Sequence, residues 1–184
     1  GALHFGNGSH VLDDDAEDYV NGLTAITIAM WIKSDVIDTD SGFIIFDEPA
    51  GNDQRGMRYD ADGGEGDLNL IKYGISFTSG NEEDESPANL QTTDWQHVAV
   101  TSASGAGLSL YINGSLVLPE EDAAPVTGVI TGCTTMIVGK GGKDEVDSSS
   151  WDGLIDEVRI YGRALSAEEV MWLAGRTDSV HKPL

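Results

Sequence analysis

Trp151-Asp152-Gly153-Leu154-Ile155-Asp156-Glu157-Val158-Arg159-Ile160-Tyr161-Gly162-Arg163-Ala164-Leu165-Ser166-Ala167-Glu168-Glu169-Val170 carries the most information about the fold. Its first half has strand character: Leu154, Val158 and Ile160 share one phase of a two-residue period, and Ile155, Glu157, Arg159 and Tyr161 share the other. Its second half predicts a short helix over Ser166–Ala174. Ser166 is a natural N-cap, Glu169 three residues on completes a capping box, and Gly175 can end the helix.

Outward from this segment the chain consists of short β-branched or alternating runs punctuated by Gly, Asn, Asp and Ser. Strands are predicted at Ala2–Phe5, His10–Leu12, Thr24–Lys33, Gly42–Asp47, Gly56–Asp60, Leu68–Thr78, Trp95–Ser102, Leu108–Asn113, Ser115–Leu118 and Thr134–Lys140. Asn113-Gly114 is the clearest hairpin signal, because a two-residue type I′ turn needs positive φ at both positions. Asn81-Glu82-Glu83-Asp84-Glu85 reads as a mobile acidic loop. Many short strands with a single terminal helix predict an all-β fold, a two-sheet antiparallel sandwich with one short C-terminal helix. Residues 1–175 form one domain on this reading, and Arg176–Leu184 looks like the start of a linker.

Composition narrows the function. With 32 Asp and Glu against 10 Lys and Arg, the formal net charge is −22. Such a surface repels phosphate backbones and anionic headgroups, which argues against nucleic-acid partners. No apolar run approaches the ~20 residues of a membrane span, so no membrane insertion is expected. Two readings of the acidity stay open: a solvated surface suited to a saline exterior, or carboxylates gathered to hold a hard cation such as calcium. Cys133 is the single cysteine, so no internal disulfide can form, and within a predicted strand it reads as a small buried hydrophobe. The lack of disulfides favours a bacterial exported protein over an animal extracellular one. The chain opens at Gly1-Ala2 without Met, as expected of a piece of a longer protein.

Taken in order, several segments carry a family resemblance. Ile26-Thr27-Ile28-Ala29-Met30-Trp31-Ile32-Lys33, Trp95-Gln96-His97-Val98-Ala99-Val100-Thr101, Leu110-Tyr111-Ile112-Asn113-Gly114 and the stretch from Trp151 to Val170 lie in one sequence. Together they resemble bacterial laminin G-like jelly-roll domains of the concanavalin A-like lectin/glucanase superfamily. The resemblance implies a jelly-roll sandwich, and it implies that sugars lie on the outer face of a sheet. It also implies a structural calcium held by an Asp of the last strand with backbone carbonyls. One departure touches the metal. The opening Phe-Asp-Gly of such domains is replaced by Phe5-Gly6-Asn7-Gly8, and Asp18-Tyr19-Val20 follows only after an acidic insertion, Asp13-Asp14-Asp15-Ala16-Glu17.

Asp156 is the candidate metal ligand. It falls on the phase of Leu154, Val158 and Ile160, and a carboxylate aimed at a core must be paired or metal-bound. Asp60–Asp67 is a weaker candidate for a second ion, because the full spacing of an EF-hand loop is missing. Trp31 and His97 fall opposite the aliphatic phase of their strands, where they either line a sugar-binding face or form a structural pair. Arg55, Arg58, Tyr59, Lys72 and Tyr73 make a basic and aromatic group around the middle hairpin, a second candidate ligand surface. Trp172 reads as a packing residue. No Glu-x-Asp-x-x-Glu strand, Gly-x-Ser-x-Gly elbow or His-Glu-x-x-His motif is present, so an enzyme is not expected. The reading is a non-catalytic carbohydrate-binding module of a larger exported bacterial protein, stabilised by structural calcium. Its partners would be a polysaccharide or glycan and other domains of the same chain. The alternative is an adhesive or structural domain of the cell surface that binds a protein.

Overall fold

The computed structural model describes residues 1–6, 8–37, 39–47, 55–62, 68–117, 124–141 and 150–175. Its elements in chain order are β1 (Leu3–Phe5), β2 (Val11–Asp13), α1 (Glu17–Val20), β3 (Ala25–Ser34), β4 (Ser41–Asp47), β5 (Arg55–Asp62) and β6 (Leu68–Phe77). There follow β7 (Gly80–Glu85), β8 (Gln96–Ala103), β9 (Gly107–Ile112), β10 (Ser115–Val117), β11 (Thr135–Val138), β12 (Gly153–Tyr161) and α2 (Ala167–Leu173). The linker expected from Arg176 and the acidic loop residues Gly63–Asp67 lie outside the described residues.

The strands form two six-stranded antiparallel sheets, ordered β1-β12-β3-β8-β9-β10 and β2-β11-β4-β5-β6-β7. Alternation decides what each sheet contributes to the space between them. From the first sheet Ile26, Ile28, Met30, Ile32, Val98, Val100 and Leu110 turn inward; from the second, Phe46, Met57, Tyr59, Ile71, Tyr73 and Ile75 meet them. This is the two-sheet sandwich expected from the strand pattern. The Asn113-Gly114 turn joins β9 to β10 with φ of 50° and 74°, as the hairpin signal requires. No helix among the described residues is long and apolar enough to cross a membrane.

Helix α2 lies on the outside of the first sheet. Val170 and Leu165 pack on Ala29, Ala99 and Tyr111, the outward side chains of three adjacent strands. Two alanines there leave room for a helix to come close. Thr27 fixes the approach: its hydroxyl donates to the Arg163 carbonyl at 2.8 Å and accepts from the Leu165 amide at 2.9 Å. The predicted capping box is present, with Ser166 and Glu169 exchanging hydrogen bonds, and Arg163 grips Glu169 by two contacts of 2.7 Å. Trp172, read as a packing residue, is 59% exposed instead, because the helix buries only its Val170 side.

The acidic segment read as a loop is strand β7, paired with β6 from Lys72↔Glu85 to Phe77↔Gly80. Pairing to a hydrophobic neighbour overrides its poor strand composition. As the free edge of its sheet, a row of carboxylates discourages a second chain from pairing there. Glu83 and Glu85 point outward to Lys72, at 3.5 and 2.7 Å. Glu82 is buried on the opposite phase, where burial first and the Asp84 charge second raise its carboxyl, while the Leu108 amide opposes them.

Candidate functional site

The two groups of candidate residues lie on opposite sheets of the sandwich. Trp31 and His97 are direct cross-strand partners on β3 and β8 of the first sheet. Their rings meet edge to face with centroids 5.4 Å apart, a geometry that suits the quadrupole of an aromatic ring. Both point outward, one residue pair beyond the alanines that α2 covers. Trp31 is half-buried and His97 is only 2% exposed. The His97 amide donates to Asn113 Oδ1 at 2.9 Å, which ties the ring to the hairpin turn. Its Nδ1 is buried without a hydrogen-bond partner among the described residues. Burial first, and the Arg159 guanidinium second, push the imidazole down to about 4, with the Glu157 carboxylate pulling the other way. His97 is therefore neutral at physiological pH, and it can act only as a neutral donor or acceptor.

Asp156 joins this pair, and this corrects the orientation inferred from strand periodicity. Asp156 is the partner of Trp31 on β12, so it shares the outer face and does not enter the core. The inward residues before it are Gly153 and Ile155. The register then shifts: Asp156 opposes Trp31 while Arg159 opposes Ala29, leaving Glu157 and Val158 against the single residue Met30. Two residues against one is a β-bulge, which inverts the phase of everything beyond it. Glu157 takes the unusual φ of 51° at this point, and its amide donates to Asp156 Oδ1 at 2.9 Å. Val158 is exposed in consequence, and only Ile160, paired with Ile28, returns to the core phase. On the outer side Arg159 closes an ion pair with Glu157 at 2.8 Å. Gly153 starts the strand with φ of 142°, and a Cβ there would run into the Lys33 carbonyl, so glycine is required for the close approach.

Calcium at Asp156 is the remaining expectation for this residue. Among the described residues no three His, Cys, Asp or Glu side chains gather as a metal cage. A cation at Asp156 would therefore depend on backbone carbonyls.

The other group lies on the second sheet and does not form one surface. Tyr59 and Tyr73 stand inside the sandwich, essentially without exposure. Tyr59 packs edge to face on Phe43 at 5.7 Å and on Trp151 at 5.2 Å, and burial lifts its phenol to about 12. Arg55 is also buried and donates to Asn81 Oδ1 at 3.3 Å. These rings and this guanidinium offer no open face to a ligand. Arg58 does point outward, within 3.8 Å of Asp60, beside its cross-strand neighbour Lys72. Burial alone would lower the Lys72 ammonium, but Glu85, Glu83 and Asp60 outweigh it and hold it above its ordinary value. The cationic cluster is thus neutralised by its own acids.

Comparison with known proteins places this geometry. The model of the concanavalin A-like lectin/glucanases superfamily matches residues 5–171. No curated protein sequence matches the chain. Among solved structures, the CBM40 of a Ruminococcus gnavus IT-sialidase bound to alpha2,3 sialyllactose is similar with a TM-score of 0.67. It is 17% identical, and the match covers 95% of this chain and 96% of that one. Domain 4 of AbnA, a GH43 extracellular arabinanase from Geobacillus stearothermophilus in complex with arabinotriose, gives a TM-score of 0.62 at 20% identity. That match covers 94% of this chain and 76% of the other. A heptameric SAP-like pentraxin from Limulus polyphemus gives 0.57 at 19% identity, over 94% and 79% of the two chains. With the family model spanning nearly all of the sandwich, the chain belongs to the concanavalin A-like lectin/glucanases superfamily.

Proposed function

We propose that this domain binds carbohydrate without hydrolysing it, as a module of a larger exported bacterial protein. The observation that carries the reading is the half-buried Trp31 ring, outward on the face that α2 partly covers, edge to face on the buried His97 and partnered by Asp156 on β12. An aromatic ring bordered by neutral and acidic hydrogen-bonding groups suits a sugar, whose ring has apolar faces and a polar edge. Arabinotriose and sialyllactose in two similar structures support the class of ligand. The missing Glu-x-Asp-x-x-Glu strand supports a non-catalytic role. Screening against a glycan array should give a dissociation constant between ~10 μM and ~1 mM, typical of a shallow open site. Trp31→Ala should abolish the signal, and no polysaccharide should release reducing sugar. Silence on every glycan, or turnover lost on changing one acidic residue, would overturn the reading.

Structural calcium at Asp156 belongs to the same proposal. Calcium accepts carbonyl as well as carboxylate oxygens, and Asp156 stands at the break in the β12 ladder. A chelator should lower the melting temperature and added calcium restore it, because a ligand of the native state stabilises by mass action. An unchanged melting curve together with a metal-free elemental analysis would sink the calcium.

The adhesive reading is favoured by a different place. Trp172 and Leu116 are exposed where α2 meets β10. Capture of a protein partner lost in Trp172→Ala, with no glycan bound, would favour that reading.

A further inference from the structure

We infer that the carbohydrate site is a two-ring platform on the outer face of the first sheet, built from Trp31 and Trp95, and that it takes a neutral oligosaccharide chain. This rests on the carbohydrate reading above and extends it to the length and charge of the ligand.

The register places five side chains in two rows, with Trp95 just beyond its end. One row is Asp156, Trp31 and His97, consecutive partners across β12, β3 and β8. The next begins with Leu154 and its partner Lys33. The ladder of β3 and β8 ends at Ile32↔Gln96, and continuing its register by one step would set Trp95 opposite Lys33. Trp95 immediately precedes β8, has the parity of His97 and is 41% exposed. Trp31 and Trp95 are then diagonal neighbours, roughly 7–8 Å apart. One pyranose or furanose ring cannot stack on both at once, whereas two consecutive rings of a chain can.

The polar groups fit uncharged hydroxyls. Lys33, half-buried and two residues along β3 from Trp31, has no ion pair among the described residues, in a chain of 32 acids. It supplies donors along β3 from Trp31, and Asp156 supplies acceptors from the neighbouring β12. His97 is uncharged. A donor and an acceptor next to one aromatic ring match the vicinal hydroxyls of a sugar, each of which both gives and takes a hydrogen bond. An anionic chain would meet the −22 charge of the whole domain. Leu154 closes the strip with an apolar floor.

The test is calorimetric titration with arabino-, xylo- and cello-oligosaccharides of one to five rings. Affinity for at least one series should rise about tenfold from one ring to three. Trp95→Ala should remove that gain of about tenfold while leaving the melting temperature and the binding of a single ring unchanged. Trp95→Phe should retain most of the gain and serves as the folded control. Binding that is flat with chain length, or a Trp95→Ala protein that binds the trimer as wild type does, overturns the platform and leaves the carbohydrate reading standing. Failure of the wild type to bind any member of the three series overturns both. Preference for a uronic acid chain over these neutral ones overturns the charge assignment.

Discussion

Replacing Trp151 by Ala should cost about 3–5 kcal/mol, the largest loss expected from any single side chain in this domain. Trp151 is fully buried, and its indole meets Phe43 at 5.5 Å and Tyr59 at 5.2 Å, both edge to face. It thus anchors the segment before β12 to β4 and β5 of the opposite sheet. Truncation opens a cavity that the two remaining rings cannot fill without leaving their rotamers. For a domain of this size the melting temperature should fall by about 10 °C or more. Trp151→Phe should cost much less. It keeps a ring in the cluster and removes an indole N–H that has no hydrogen-bond partner among the described residues. Similar melting temperatures for Trp151→Ala and wild type would show that the two sheets do not depend on this contact.

The second large effect is an acid-dependent loss of stability centred on His97. The folded imidazole lies at about 4, against an ordinary value near ~6.5 in the unfolded chain. Between those values the unfolded state binds the proton and the folded state does not. Stability from this group is complete above about pH 6.5, falls as pH drops, and is fully lost below about pH 4. The loss is at most about 3 kcal/mol, since the ring is almost wholly buried and each tenfold change in proton affinity is worth ~1.4 kcal/mol. Acid also neutralises surface carboxylates and relieves the repulsion behind the −22 charge, which works in the opposite direction. The informative quantity is therefore the difference between wild type and His97→Gln in denaturant titrations from pH 4 to pH 7. That difference should shrink steadily toward acid. A constant difference across the range would mean that His97 titrates normally and that Trp31, Asn113 and the Arg159 side of β12 leave it open to water in solution.

The bulge in β12 shows where periodicity stops being readable. Leu154, Asp156, Val158 and Ile160 share one parity, and a two-residue period makes them one face. In the sandwich they do not share a face, because Glu157 and Val158 together oppose Met30. Nothing local in Asp156-Glu157-Val158-Arg159 announces that extra residue. It is seen only in the pairing with β3, where Met30 alone faces the two residues. The same blindness affects β5 and β6. Tyr59 and Tyr73 sit beside Arg58 and Lys72 in sequence, which suggests one mixed surface, yet adjacent residues of a strand point to opposite faces. Alternation is legible there, but which parity faces the core is not. β7 escapes a composition-based reading for a related reason, since a strand of Glu and Asp is stable only by virtue of the Lys72 row it pairs with.

Local sequence suffices for the class of fold, most strand positions, the Asn113-Gly114 hairpin and the capped terminal helix. Each of these is a period, a turn conformation or a capping pair within a few residues. The outward phase of Trp31 and His97 is legible in the same way, because β3 and β8 are regular over their whole length and their aliphatic side is unmistakable. The placement of Asp156 beside Trp31 is visible only in the folded chain. So is the enclosure of Tyr59, Tyr73 and Arg55. Those facts depend on register between strands far apart in sequence. Register is set by the packing of one sheet on the other and by the seat of α2, so no window of residues carries it.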